Sequence, residues 1–102
     1  MLVLTRYPHQ SILIGEDIEV MVVAIANNAV RLRITCQRLN PPVREETLRL
    51  EDIVRINEQA QVQVVMLRPE GGRVRLGINA PREVNIAREE VRQVAPGGPV
   101  NA

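Results

Sequence analysis

The sequence predicts an all-β protein made of antiparallel strands. Apolar residues recur at every second position in three segments, mostly with polar residues between them: VRLRI at 30–34, QVQVVM at 61–66 and VRLGI at 74–78. This period places apolar side chains on one face of a strand and polar ones on the other. Clusters of Asn and Gly separate such segments, and these residues favour the tight turns of β-hairpins. We therefore expect half-buried strands, joined by hairpins, that form a barrel or sandwich.

The composition supports the same fold class. Hydrophobic residues make up 45% of the 102 residues, but Tyr7 is the single aromatic residue, and there is no Trp or Phe. The core must therefore consist of Val, Ile and Leu. Val and Ile are β-branched, and their stiff side chains pack well on the pleated surface of a sheet. A chain of this length forms one compact domain or two units too small to fold apart.

Turn residues divide the chain into its predicted strands. Residues 27–28 (Asn-Asn) and 71–72 (Gly-Gly) each separate the two strands of a hairpin, and residues 15–17 form a further turn. Residues 40–42 (Asn-Pro-Pro) are predicted to be a linker, because proline lacks the N–H donor that a central ladder requires.

The C-terminal segment is predicted to contain a short helix. The sequence AREEVRQV at 87–94 places its apolar residues on one helical face. The Pro and Gly residues that begin at position 96 end this helix. Residues 96–102 are predicted to be a disordered tail, as is common at chain termini.

Charge and cysteine content argue against several function classes. The formal net charge is +1, so the chain is not a polycation, and all 13 basic residues are Arg. Cys36 is the single cysteine, which rules out an internal disulfide, and no cluster of residues resembles a metal site. We find no nucleophile–base pair and no phosphate-binding loop, so we expect neither an enzyme nor a cofactor. No apolar run approaches the roughly 20 residues of a membrane span, so we expect a cytoplasmic protein.

An internal repeat is the most informative feature of the chain. Segments 18–35 and 60–79 each contain a hairpin that ends in the same V-R-L-x-I pattern, and segment 11–20 is similar to 53–62. Any two amphipathic hairpins resemble each other to some degree, but here strand, turn and strand recur in the same order. Two copies are too few for a solenoid and suggest a fused dimer instead.

The two repeats are incomplete. A weaker similarity between segments 44–53 and 82–91 matches Leu50 with Arg88. The second repeat shows no clear counterpart of the N-terminal sequence MLVLTR. We therefore predict one domain made of two partial repeats, with these bounds: 1–95 for the domain, and 1–53 and 54–95 for the repeats.

Two segments carry a family resemblance. The chain starts with MLVLTR followed by SILIGEDIEV, and its C-terminal part contains GGRVRLGINAPREVNIAREEV. These segments resemble the two ends of the bacterial carbon storage regulator (CsrA/RsmA) family, with its L-T-R start, I-G-[DE] turn, A-P run and R-E-E helix start. The resemblance implies an all-β homodimer in which the strands of two chains interleave. It also implies binding to GGA motifs in messenger leaders or small RNAs, which alters translation.

The resemblance also assigns the residues of an RNA site. In the family, each site joins the first strand of one subunit to the last strand of the other. Leu4, Thr5 and Arg6 match the first-strand part, and Ile86 and Arg88 match the last-strand part. The adjoining loop adds three residues: Ala80, Pro81 and Arg82. Arginine suits this role because its planar donors pair with phosphate and with guanine edges.

The sequence departs from the family pattern at two positions near the first strand. Tyr7 stands where the family usually has a second Arg, and His9 where it usually has Gly. Tyr7 can either stack on a base or pack on the core. His9 has no catalytic partner, so we interpret it as an ordinary loop residue.

The duplication leads to a hypothesis about the number of sites. In a single-chain pseudodimer, the site that joins Arg6 to Arg88 is intact, whereas the other site has Leu50 in place of an Arg. We therefore predict a monomer that binds one RNA. One alternative is a homodimer that exchanges strands. The other is a protein-interaction module that has lost RNA binding and that binds a flagellar assembly factor of the FliW type or modulates another regulator.

Overall fold

The computed structural model describes residues 1–89, which form nine β-strands and one 3₁₀ turn. The strands are β1 (Leu2–Arg6), β2 (Ser11–Ile14), β3 (Ile18–Ile25), β4 (Val30–Cys36), β5 (Val43–Leu48), β6 (Ile53–Arg55), β7 (Gln61–Arg68), β8 (Arg73–Asn79) and β9 (Ile86–Arg88). The 3₁₀ turn, Pro69–Gly71, joins β7 to β8. In this part of the chain, no helix is long and apolar enough to cross a bilayer.

The strands form two antiparallel sheets. Sheet I has the strand order β1-β8-β7-β6, and sheet II has the order β5-β4-β3-β2-β9. Every pair of neighbouring strands is antiparallel. The predicted all-β antiparallel fold class is therefore confirmed.

Strands from distant parts of the chain are interleaved. β1 comes from the N-terminal half and pairs with β8 in sheet I. β9 comes from the C-terminal half and pairs with β2 in sheet II. Because neither sheet consists of one half alone, the two halves cannot separate without breaking strand pairs. The interleaving that the family resemblance implied between two chains is thus present within one chain.

The core lies between the two sheets and consists of aliphatic side chains from both. Inward and outward residues alternate along each strand. In β4, Val30 and Leu32 are 0% exposed, whereas Arg31 and Arg33 are exposed. Burying one such apolar side chain stabilises the fold by about 1.5–3 kcal/mol. The period of two in the sequence therefore corresponds directly to the inner and outer faces of the sheets.

The hairpin turns coincide with the predicted Asn and Gly positions. Residues 27–28 lie between β3 and β4, and residues 71–72 lie between β7 and β8. Gly15 and Gly72 have φ values of 62° and 65°. Glycine adopts this left-handed conformation without steric cost, which explains its use at these turns.

The predicted C-terminal helix is wrong at its first residues. Ala87 and Arg88 belong to β9, where they pair with β2. This pairing satisfies backbone groups along the edge of sheet II, and such tertiary pairing overrides the helical pattern of the sequence. Residues 90–94 of the predicted helix and the predicted tail at 96–102 lie outside the described residues.

Candidate functional site

A specific set of hydrogen bonds holds the loop after β1. Tyr7 N–H donates to Gln10 Oε1 (3.0 Å), and Gln10 N–H donates to Tyr7 O (3.0 Å). His9 N–H donates to Val22 O (2.6 Å), and Val22 N–H donates to Gln10 O (3.0 Å), so the loop is joined to β3. His9 has a φ of 75°. A positive φ is uncommon for a residue other than glycine and makes this loop conformation distinctive.

The loop after β5 has the same conformation and the same bonds. Arg49 N–H donates to Asp52 Oδ2 (2.9 Å), and Asp52 N–H donates to Arg49 O (3.0 Å). Glu51 N–H donates to Val64 O (2.8 Å), and Val64 N–H donates to Asp52 O (3.1 Å). Glu51 has a φ of 74°. The two loops therefore correspond residue by residue, with Arg49 in the place of Tyr7.

The strands that precede these loops also correspond. Arg6 at the end of β1 lies opposite Val74 of β8. Leu48 at the end of β5 lies opposite Val30 of β4. Because Val30 and Val74 are equivalent positions of the repeat, β5 is the structural counterpart of β1. The segment MLVLTR therefore has a counterpart, but this counterpart lies at 43–48, within the predicted first repeat 1–53, and not in the predicted second repeat 54–95.

Charged substitutions hide this correspondence in the sequence. The register places Arg44 and Glu46 of β5 at the positions of Leu2 and Leu4 of β1. The segment VREETL consequently retains little of the MLVLTR pattern, although it forms the same strand in the same register.

The predicted match of Leu50 with Arg88 is also wrong. Leu50 lies in the loop after β5, so it corresponds to Pro8 in the loop after β1. The strand without a copy among the described residues is β9. β9 pairs with the outer side of β2, whereas β6, the counterpart of β2, is the last strand of sheet I. The chain passes from β4 through residues 37–42 directly into β5, so no copy of β9 forms in this segment.

The ends of β1 and β9 meet, although the two strands lie at the edges of different sheets. Arg6 Nη1 donates to Ser11 O of β2 at 2.9 Å. The next residue of β2, Ile12, lies opposite Arg88 of β9. These contacts bring Arg6 and Arg88 to one region, which we call the β1–β9 end. The structure thus brings the two strands of the predicted site together within one chain.

Two of the three predicted first-strand residues face the core. Leu4 is 6% exposed and Arg6 is 3% exposed, whereas Thr5 between them is half-buried on the outer face. Arg6 Nε donates to Thr5 O at 2.7 Å, in addition to the Nη1 bond. Burial of a charged group is costly unless it is hydrogen-bonded, and these carbonyl oxygens are its acceptors. Arg6 therefore joins β1 to β2 from inside the molecule and does not present its guanidinium to solvent.

The predicted last-strand residues lie on β9. Ile86 is half-buried, lies opposite Ile14 of β2 and packs against the core. Arg88 is exposed at the final position of the strand. Of the predicted pair, Arg88 is thus the residue that is accessible to a ligand.

The predicted loop residues lie away from Arg88. Ala80, Pro81 and Arg82 precede β9, so they are near the start of that strand, whereas Arg88 is at its end. Ala80 and Pro81 are half-buried and line a shallow pocket of about 100 Å³ together with the turn at 15–17. Arg82 is exposed. The structure does not bring this loop together with Arg6 and Arg88.

The region that corresponds to the β1–β9 end lies where β5 meets β6, and we call it the β5–β6 end. There a charged side chain covers part of the outer edge of β6. Arg44 Nη2 donates to Arg55 O of β6 at 2.7 Å, and Arg44 Nε lies 3.6 Å from Glu46 Oε2. Arg55 corresponds to Leu13, which pairs with Ala87 of β9 on the outer side of β2. The guanidinium of Arg44 therefore satisfies a carbonyl group that a copy of β9 would otherwise bind.

The β1–β9 end offers the exposed Arg88 side chain and two strand edges, which are groups that can bind a ligand. Among residues 1–89, no group of three or more His, Cys, Asp or Glu side chains is placed to hold a metal ion. The exposed groups at this end include the Arg88 side chain and the outer backbone groups of β1 and β9.

Together these features define a class of protein: two antiparallel sheets in which two copies of one strand pattern exchange strands. The model of the CsrA family, described as a global regulator protein family, matches this chain twice, over residues 1–51 and 47–95. The chain therefore belongs to the CsrA family and contains an internal duplication. The second match begins within β5, so it includes the whole loop after β5. No solved structure matches the chain significantly.

Proposed function

We propose that this global regulator binds RNA and controls translation by recognising GGA motifs in messenger leaders or small RNAs. One observation carries the proposal: Arg88 is exposed beside the end of β1, in a chain of the CsrA family. Each chain has one RNA site, at the β1–β9 end. The protein acts as a monomeric pseudodimer in the cytoplasm.

The chemistry of the β1–β9 end suits unpaired guanine bases. Sequence-specific RNA recognition mainly targets bases in loops, whose edges are free to form hydrogen bonds. Arginine forms a bidentate pair with O6 and N7 of guanine, and Arg88 has the exposure that such a pair requires. β1 and β9 are the last strands of their sheets, so their outer N–H and C=O groups are also available. Arg6 supports this arrangement by holding β1 against β2.

The β5–β6 end lacks the features on which the proposal depends. The described residues contain no second copy of β9 and hence no counterpart of Arg88. Glu45 and Glu46 of β5 take the positions of Val3 and Leu4 of β1, and their carboxylates pair with Arg33 and Arg44, so these two arginines are engaged within the protein. These differences support one site per chain. They also favour a division of the halves within residues 37–42, ahead of β5, in place of the boundary at residue 53.

Titration with a hairpin RNA that carries GGA in its loop, combined with light scattering, tests the proposal. We expect one RNA per 11.4 kDa chain and the mass of a monomer. The matched control is the same stem with the GGA changed, which should bind roughly tenfold more weakly or worse, since one good base contact contributes about 1–3 kcal/mol. Two equivalent sites on one monomer would overturn the one-site proposal. A dimer mass with one RNA per chain would favour strand exchange between two chains.

The outer face of sheet I favours a second candidate function, that of a protein-interaction module. Val3 and Val65 are 40% and 37% exposed, and Met1 and Val65 close over Gly77 between them. Such an apolar surface suits contact with another protein, such as a FliW-type assembly factor or a second regulator. If the GGA hairpin produced no gel shift in low salt, where phosphate contacts are strongest, this second function would replace the first.

A further inference from the structure

The hairpin that joins β7 to β8 carries unusual charge on its outer face. Leu67 and Val74 lie opposite each other and contact the core. The next pair outward is Arg68 opposite Arg73, and both are exposed. Like charges directly opposite each other destabilise a strand pair. A ligand that carries negative charge would remove this repulsion.

Acidic side chains neutralise this pair only weakly. Arg68 Nη1 lies 3.9 Å from Glu70 Oε2, and their side chains are 54% and 73% exposed. Such an exposed pair contributes little, about 0–1 kcal/mol. Within residues 1–89, Arg73 has no acidic partner within salt-bridge distance.

The arginine pair lies at the β1–β9 end. Val74 is opposite Arg6, the last residue of β1. Tyr7 follows Arg6 directly and Arg73 directly precedes Val74, so both lie at this end of the β1–β8 pair, and Tyr7 is 44% exposed. Neighbouring strands are about 4.8 Å apart, so Tyr7, Arg73 and Arg68 form a short row across three adjacent chain segments. We call this row the arginine strip.

The β5–β6 end has no equivalent of the arginine strip. Ala26 and Ala29 take the positions of Arg68 and Arg73, as shown by the pairing of Ile25 with Val30 and by the bond from Ala26 N–H to Ala29 O at 2.8 Å. The pair of opposed arginines thus occurs at the β1–β9 end, where Arg88 lies, and not at the β5–β6 end. By contrast, Arg75 of β8 has a counterpart in Arg31 of β4, so it does not distinguish the two ends.

We propose that the arginine strip binds the phosphate backbone of the paired stem next to the recognised loop, with Tyr7 stacking on an unpaired base at the stem–loop junction. This inference rests on the proposed RNA-binding function and extends it from the loop motif to the stem. Arginine binds phosphate through charge-assisted, often bidentate hydrogen bonds. An exposed aromatic ring stacks on any base, so Tyr7 needs no particular sequence.

The salt dependence of RNA binding tests the arginine strip. The test variant is Arg68→Gln with Arg73→Gln. The matched control is Arg31→Gln with Arg49→Gln. It removes the same amount of charge from exposed positions at the β5–β6 end. Affinity is measured across a range of salt concentrations for a GGA-loop hairpin and for the loop sequence alone, without its stem.

We expect the test variant to lower the slope of log K against log salt by about one to two units, since each lost phosphate contact removes roughly 0.7–0.9. Its affinity for the hairpin should fall several-fold at low salt, while its affinity for the stemless loop and the behaviour of the control variant stay nearly unchanged. Tyr7→Ala should weaken hairpin binding by roughly fivefold or more without changing the slope, because stacking is not a phosphate contact.

The remaining outcomes distinguish a failure of this inference from a failure of the proposed GGA recognition on which it rests. An unchanged slope in the test variant, or an equal loss in the control variant, overturns the arginine strip while GGA recognition stands. Equal binding of GGA and altered loops overturns GGA recognition, and the slope still decides the strip. No binding of any RNA by the wild type overturns both. Thermal unfolding of each variant verifies that it is folded.

Discussion

The β1–β9 end and the β5–β6 end share one scaffold and differ in almost every side chain that meets solvent. Each has a strand in the same register and a loop with the same hydrogen bonds. At the β1–β9 end, Arg6 reaches Ser11 O from inside the molecule. At the β5–β6 end its counterpart is Leu48, an aliphatic side chain that is 7% exposed. The backbone of this fold therefore keeps its conformation while the residues available to a ligand are replaced.

The two ends also differ by one strand, and the structure shows how its loss is tolerated. β9 covers β2, whereas among residues 1–89 the Arg44 side chain takes this place on β6. One guanidinium satisfies one carbonyl group, whereas a strand satisfies a row of backbone groups. An uncovered edge favours pairing with another chain, so we expect the bond from Arg44 to oppose such pairing at β6.

The largest effects should come from equivalent core positions, and they test whether the two halves are energetically alike. Leu32 and Leu76 correspond in the repeat, and both are 0% exposed. Leu32→Ala and Leu76→Ala should each lower the free energy of unfolding by about 2–5 kcal/mol, because each leaves a cavity in the shared core. Urea unfolding measures both. A large loss for one variant and almost none for the other would show that the halves do not share one core.

A smaller effect is expected on RNA affinity, and it should differ between substitutions at the β1–β9 end and at the β5–β6 end. Arg88→Ala should weaken binding of a GGA-loop hairpin by about 1–3 kcal/mol, the contribution of one base contact. Leu50→Ala is the control, because Leu50 is exposed in the loop of the β5–β6 end. Calorimetric titration of both variants measures the difference. Equal affinities for the two variants would contradict the assignment of the site to the β1–β9 end.

The smallest effect should come from the cap on β6. Arg44→Leu removes the bond to Arg55 O and should lower the free energy of unfolding by about 0.5–1.5 kcal/mol, the net contribution of a typical hydrogen bond. The freed edge should also raise the average mass in light scattering at high protein concentration. Arg31→Leu is the control, since it makes the same exchange at an exposed position of β4 without touching that edge. A monomeric and fully stable Arg44→Leu variant would show that the cap is dispensable.

The strands and turns were accessible to sequence reasoning because they follow from local rules. The period of two in β4 and β8 specifies which side chains are buried, and glycine identifies turns that need a positive φ, as at Gly72. The equivalence of β5 to β1 was not predicted, because Arg44 and Glu46 interrupt the apolar face of β5. The similarity of the two loops was also not predicted, because Tyr-Pro-His-Gln and Arg-Leu-Glu-Asp have no residue in common. Backbone bonds and one side-chain oxygen, from Gln10 or from Asp52, give them the same conformation.

The candidate site could be predicted from the sequence only in part, for a similar reason. The family pattern located Arg6 and Arg88, but whether an arginine faces inward depends on which carbonyl groups lie within its reach. Ser11 O, five residues along the chain, and Thr5 O each accept a hydrogen bond from the buried Arg6 side chain. The alternation of β1 places Arg6 on the same face as the buried Leu4, and this face was the one signal in the sequence that pointed to its burial.

The missing copy of β9 changes how the protein would occupy long RNAs under the proposed function. A regulator with two sites that has bound one motif holds its second site near other motifs of the same RNA, at an effective concentration that reaches the millimolar range. This proximity increases overall avidity by about 10²–10⁴. A chain with one site has no such gain, so each motif fills according to its own Kd and the concentration of free protein. A messenger with two motifs would then carry two separate copies of this protein, with no RNA loop drawn between them.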